Sequence, residues 1–327
     1  MIRQVQITYT LNLNINMEKN SKIFVAGHRG LVGSAIVRIL EDRGYSSIIT
    51  KTRSELDLLN QKQVKEFFAS EKIDYVFDAA ARVGGIHAND TYSAEFIYQN
   101  IQIQSNLIHY AWLYGVKKFL FLGSVCIYPK YAEVPVKEES LLTGYLEPTN
   151  DAYAVAKISG IKMLQAYNKQ YGFNGVSLMP SNLYGIGDNF HPDNGHVIPA
   201  MITKFQNSDG KDVTFWGDGT PMREFLYADD LADACLFSMN HFEKGELVNV
   251  GSGENVSIKD LANTIASVVK YSGNINWDTS RPNGTPNRPL DSSKIFELGW
   301  KPKYNLQRGL REMYQWFIEN TYYDSNK

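Results

Sequence analysis

From Lys22 onward, short runs of consecutive apolar residues alternate with longer stretches in which apolar positions recur every three or four residues. KIFVAG, SIIT, DYVFDAA, KKFLFLGS and GVSLMP are short and almost uniformly apolar, so they read as strands buried on both faces. Between them, LVGSAIVRILEDRG, Gln61 to Ser70, about Thr91 to Tyr114 and about Asp151 to Tyr171 carry helical spacing. Strand and helix taking turns predict an α/β fold, a doubly wound parallel sheet covered by helices on both sides. After Pro180 the elements shorten, and loops such as GDNFHPDNGH and SRPNGTPNRP gather Gly, Pro and Asn. A nucleotide-binding domain is therefore expected over 21–180, followed over 181–327 by a smaller C-terminal α/β domain for substrate. VTFWG and LVNVGSG are strand-like pieces able to return to the large sheet. Residues 1–20, mostly polar up to a second methionine at Met17, read as a disordered extension.

Composition narrows the function. The chain has 327 residues, 43% hydrophobic and 21% charged, ordinary globular usage. With 33 Lys and Arg against 35 Asp and Glu, it has no broad basic field for a nucleic acid or an anionic membrane. Phosphate on a ligand must be met locally. Two cysteines, Cys126 and Cys235, are too few for a disulfide framework and lack the spacing of a zinc site, so a reducing cytoplasm and no metal are expected.

Gly27, Gly30 and Gly33 form GHRGLVG between the first strand and the first helix, with Leu31 and Val32 inside the motif. In that context the first glycine permits a tight turn, the second lets amides approach a pyrophosphate, and the third lets helix and strand pack closely. The helix N-terminus then faces the anion. An NAD site usually carries an acid at the end of the second strand, but here the stretch reads TKTRSELDL. Lys51 and Arg53 come first and Glu55 only later, while Arg29 lies within the glycine loop, so NADPH is the expected cofactor.

Tyr153 and Lys157 stand four apart in a predicted helix and share one face. A neighbouring ammonium would lower the phenol's pKa and make it a proton donor to a carbonyl under reduction. Ser124 ends the strand KKFLFLGS, at the sheet edge where ligands bind.

GHRGLVGS, the serine after the fourth strand and YAVAK together resemble the extended short-chain dehydrogenase/reductase family, from Met17 to the end of the chain. The resemblance implies a Rossmann-like fold. Longer strings, AARVGGIHAND, CIYPK, LEPTN, NLYG, DNFHP, HVIPA and GTPMREF, are similar to its branch acting on GDP-4-keto-6-deoxy-D-mannose. That branch epimerises C3 and C5 and reduces the C4 ketone with NADPH. A ketone acidifies both neighbouring carbons, so inversion needs a base on one face and an acid on the other. Thiol and imidazole both titrate within reach of neutral pH. By similarity Cys126 is the base and His196 the acid, with Ser124 and Tyr153 holding the enolate oxygen.

The resemblance further implies Pro180, Asn182, Leu183 and His196 beside the cofactor, and Lys204, Trp216, Arg223 and Asn283 beside the GDP-sugar. It also implies a homodimer through the long helices. Sugar-nucleotide dehydratases carry an acidic pair where Val125 and Cys126 stand, which argues against water elimination here. Val125 in place of a second serine, Gly195 for a serine, Lys204 for an arginine and Asn283 for an aspartate are departures that bear on the sugar. A C4 reductase of a related GDP-linked heptose is the near rival, and a non-catalytic NADPH-sensing protein the rival from another class.

Overall fold

Six parallel strands frame the molecule, most of them built mainly of apolar residues and buried between the covering helices. The computed structural model describes residues 17–191, 195–281 and 288–321. In the first half β1 (Ile23–Ala26), β2 (Ile48–Ile49), β3 (Tyr75–Asp78), β4 (Lys118–Leu122) and β5 (Gly175–Pro180) alternate with α1 (Leu31–Asp42), α2 (Gln61–Glu71), α3 (Ile86–Thr91), α4 (Ser93–Leu113) and α5 (Asp151–Tyr171). The second half carries β6 (Asn182–Tyr184), α6 (Val197–Asn207), β7 (Val213–Trp216), β8 (Met222–Tyr227), α7 (Ala228–His241), β9 (Glu246–Val250), β10 (Asn255–Ser257), α8 (Ile258–Val269), β11 (Ile275–Asp278), α9 (Ser293–Glu297) and α10 (Leu306–Thr321).

The large sheet runs β2-β1-β3-β4-β5-β9. Every pairing in it is parallel. LVNVG thus joins the sheet as β9 beside β5, while VTFWG does not: as β7 it pairs with β11 in a separate two-stranded ribbon. A third sheet, β10-β8-β6, completes the second half. Of the expected extension, residues 1–16 lie outside the described residues, whereas Met17 is buried in the core beneath α7.

One sheet face packs on α1 and α7, the other on α2, α4 and α5. The second face sets up the chemistry, because α5 approaches the sheet unusually closely at Gly160. A Cβ there would lie 2.5 Å from the Phe121 ring and 2.9 Å from the Gln104 side chain. Gln104 in turn donates to the Ala156 carbonyl at 2.6 Å and to the Ser159 hydroxyl at 2.8 Å, stitching α4 to α5. This contact draws the N-terminal turns of α5 down onto the end of β4.

Gly160→Ala should therefore overpack this joint and destabilise the protein by about 1–3 kcal/mol. A lowered urea midpoint with an unchanged slope is the expected result.

Candidate active site

At the carboxyl ends of β1 and β3 the sheet order reverses, since β2 lies on one side of β1 and β3 on the other. Such a switch point leaves a crevice between the loops, and a cleft of about 1150 Å³ opens there. Gly27 turns the chain with φ +78°, and a side chain on it would come within 2.7 Å of the Ala79 carbonyl. A Cβ on Gly33 would overlap the Gly27 carbonyl, so only glycine lets α1 start this close to β1. Gly30 caps α1 without a side-chain hydrogen bond, and Gly30, Leu31 and Val32 border the cleft. An uncapped helix N-terminus beside a cleft fits a pyrophosphate.

Lys51 and Arg53 also border the cleft. Glu55 turns away from the role of a ribose acceptor: its carboxylate takes the Thr52 N–H and hydroxyl, both at 2.7 Å, which holds it well below the usual carboxylate range. Arg29 is exposed and stands outside the cleft wall, although its charge reaches Glu55 together with that of Lys51. The residues present fit a dinucleotide bearing an extra phosphate.

Ser124, Cys126, Tyr153, Lys157 and His196 meet around the same cleft, with Pro180, Asn182 and Leu183 on its wall. A 3-10 turn over Val125–Ile127 brings Cys126 back beside Ser124 after β4 ends. The Lys157 ammonium is buried and donates to the Leu122 carbonyl at 2.8 Å. It lies 6.0 Å from the centre of the Tyr153 ring.

Two titration expectations are corrected. Burial, reinforced by Cys126, pushes the Tyr153 phenol up from its ordinary value rather than letting Lys157 bring it down. The ammonium's hydrogen bond goes to the strand carbonyl instead of the phenol, and desolvation is the leading cause of the rise. Burial likewise pushes the Cys126 thiol up to about 11, against the hydrogen bond of Ser124 and the charges of Lys157 and Arg288. Both groups therefore hold their protons at neutral pH.

His196 caps the start of α6, and Asp188 stands behind it. The Asp188 carboxylate is 3.8 Å from the imidazole Nδ1, almost fully enclosed, and one of its oxygens has no hydrogen-bond partner among the described residues. It raises the imidazole above its ordinary pKa. Nothing in the sequence spacing singles out Asp188; its only signal is an acid in a glycine-rich loop.

The expected sugar-nucleotide residues lie apart from the cleft wall. Lys204 donates to the Thr214 carbonyl, and Trp216 is 71% exposed with the Arg281 guanidinium 5.3 Å from its ring centre, so it is not a core residue. Arg223, half-buried, faces the Arg288 guanidinium, and each is pushed down by burial, Arg223 also by the like charge beside it. Each already donates to a backbone carbonyl, Arg223 to Met222 at 2.7 Å and Arg288 to Lys130 at 3.1 Å, and the turn residues of its loop give Arg288 no signal in the sequence. Asn283 lies outside the described residues. Among the described residues no cluster of His, Cys, Asp and Glu could hold a metal ion.

A family model described as the NAD dependent epimerase/dehydratase family matches residues 23–251. GDP-L-fucose synthase 1 of Arabidopsis thaliana is 54% identical, covering 93% of this chain and 95% of its own. A GDP-L-fucose synthetase from Naegleria fowleri bound to NADP superposes with a TM-score of 0.89 at 29% identity, covering 96% of this chain and 97% of its own. A GDP-6-OMe-4-keto-L-xylo-heptose reductase from C. jejuni gives 0.87 at 38% identity, covering 93% and 99%.

Arg53→Ala should weaken NADPH binding by about tenfold while leaving NADH nearly unchanged, since only the former presents a phosphate to the guanidinium. Titration of cofactor fluorescence with both dinucleotides checks the difference.

Proposed function

The chain belongs to the NAD-dependent epimerase/dehydratase family, and from that premise we propose that it converts GDP-4-keto-6-deoxy-D-mannose to GDP-L-fucose, inverting C3 and C5 and reducing the C4 ketone with NADPH. The observation that carries this reading is the meeting of Cys126, His196, Ser124, Tyr153 and Lys157 around the cleft that the glycine turn borders. NADPH, when bound at the α1 N-terminus beside Lys51 and Arg53, supplies hydride. The side chains do the rest.

Cys126, as thiolate, removes the proton next to the ketone, and His196 returns one on the opposite face. The enolate oxygen is held meanwhile by the hydroxyls of Ser124 and Tyr153. During reduction Tyr153 gives its proton to the C4 oxygen. Its raised pKa in the free protein keeps that proton available, and the buried Lys157 charge favours the phenolate left behind. Arg223 and Arg288 are suited to the diphosphate, and Trp216 and Lys204 to the nucleotide, which makes the part of the chain after Pro180, apart from β9, the substrate side.

The likeness to a heptose reductase supports a second reading, C4 reduction of a GDP-linked heptose without inversion. Incubation in deuterated water without NADPH separates the two. Deuterium entering C3 and C5 of the hexose substrate is expected; its absence, with reduction intact, would favour the second.

We also infer a cytoplasmic homodimer. The free cysteines Cys126 and Cys235 support a reducing setting. Tyr98 and Leu113 on α4, with Val155 and Tyr171 on α5, leave large apolar side chains exposed on the two long helices. No helix among the described residues is long and apolar enough to cross a membrane.

Cys126→Ser should reduce deuterium exchange by at least about a hundredfold. For the wild type, the thiolate fraction grows about tenfold per pH unit below the thiol's pKa, while the imidazolium fraction falls equally fast above that of His196. Exchange should therefore rise with pH until His196 loses its proton, then stay level until about 11, the value of Cys126. Because Asp188 raises His196, Asp188→Asn should end the rise at a lower pH and lower the plateau. Sedimentation equilibrium should return about twice the chain mass of 37.0 kDa; a mass equal to one chain would overturn the dimer.

A further inference from the structure

Five of the six strands in the large sheet end on uncharged residues, Ala26, Ile49, Leu122, Pro180 and Val250, but β3 ends on a carboxylate. Asp78 is 1% exposed. Register places it between Ala26 of β1 and Phe121 of β4. Residues paired across neighbouring strands project to the same face, so Asp78 points with Phe121 toward α4 and α5. On that face the Lys157 ammonium lies 4.7 Å from the centre of the Phe121 ring while donating to Leu122, the residue after Phe121.

One oxygen of Asp78 accepts the Ala80 N–H at 3.1 Å; the other has no hydrogen-bond partner among the described residues. Both Asp78 and Lys157 have left water, and an isolated charge in such a place costs several kcal/mol. No direct ion pair or hydrogen bond joins the two, and each acts on the other through its charge across the sheet face. Burial pushes Asp78 up to about 6 with Lys157 opposing the rise, and burial pushes Lys157 down with Asp78 opposing the fall. Cys126 is the other titratable group that supports the ammonium, from the turn after β4, and Tyr153 neighbours it on α5 itself.

We infer that Asp78 is the buried counter-ion of Lys157, a positioning residue that keeps the lysine charged beneath the cleft and thereby sets the pH range of C4 reduction. Asp78 does not border the cleft and acts through Lys157. Its effect on reduction rests on the reaction proposed above, but the pairing itself does not, so the two are tested apart.

The pairing is read from a double-mutant cycle on thermal unfolding of the full chain without ligands, using Asp78→Asn, Lys157→Met and both together. The double variant should lose clearly less melting temperature than the sum of the single losses, whereas additive losses would overturn the pairing. Should Asp78→Asn fail to fold, infrared spectroscopy of Lys157→Met replaces the cycle. A protonated carboxyl band persisting to higher pH than in the wild type supports the pairing, and a band titrating as in the wild type overturns it.

The consequence for reduction is read from kcat against pH, following NADPH oxidation with GDP-4-keto-6-deoxymannose. As pH falls through about 6, Asp78 takes up a proton and wild-type kcat should drop. Asp78→Asn should lack that acid limb and show kcat lower by about tenfold, with KM for the sugar nearly unchanged. A coupled thermal cycle with an unaltered acid limb would keep the pair and overturn its control of the reaction.

Discussion

The position of one ammonium group governs the rest of the site. Lys157 is buried, held by a strand carbonyl from one side and opposed by a carboxylate set in the sheet. Burial lowers the pKa of an amine in that position and the charges of its partners oppose the fall, so the spacing between α5 and the sheet becomes an electrostatic quantity as well as a packing one. Gly160, one turn further along α5, sets that spacing. Any shift of α5 would move Tyr153 and Lys157 together relative to Ser124, which follows β4 at the head of the Val125–Ile127 turn.

Burial raises the phenol and the thiol, while at the imidazole the Asp188 carboxylate acts upward against burial. The phenol and the thiol keep their protons, and Asp188 helps the imidazole to gain one. The free protein is thus charged with donors and poor in bases. On the proposed reaction, the thiolate is a minority species stabilised by Ser124, Lys157 and Arg288, so the inversion steps depend on those neighbours more steeply than reduction does.

Much of the sheet was legible in the sequence because fully buried parallel strands need uninterrupted apolar runs, and KIFVAG, DYVFDAA, KKFLFLGS and GVSLMP have little other use. VTFWG was ambiguous because its partner, the INWD strand, mixes polar and aromatic residues and gives no strong alternation. In the site, the residues at helical spacing or inside the glycine motif could be placed together in advance. Asp188 and Arg288 could not, since loops of undetermined path bring them in. Asp78 was visible as a charge inside an apolar run, yet the sequence alone does not say which helix covers it. The titration of Tyr153 was misjudged for a related reason: spacing along a helix names the neighbour at four residues but says nothing of how much water the pair has lost.

The return of β9 to the edge of β5 has a bearing on how the molecule can be taken apart. The chain leaves the large sheet at Pro180, builds β6, α6, β7 and β8, and comes back before its last stretch departs again. A fragment stopping at Pro180 would bare the backbone of β5 along an entire edge, an invitation to self-association. Grafting the second half of a relative onto this chain consequently requires two splice points, with β9 and α7 left behind as part of the recipient.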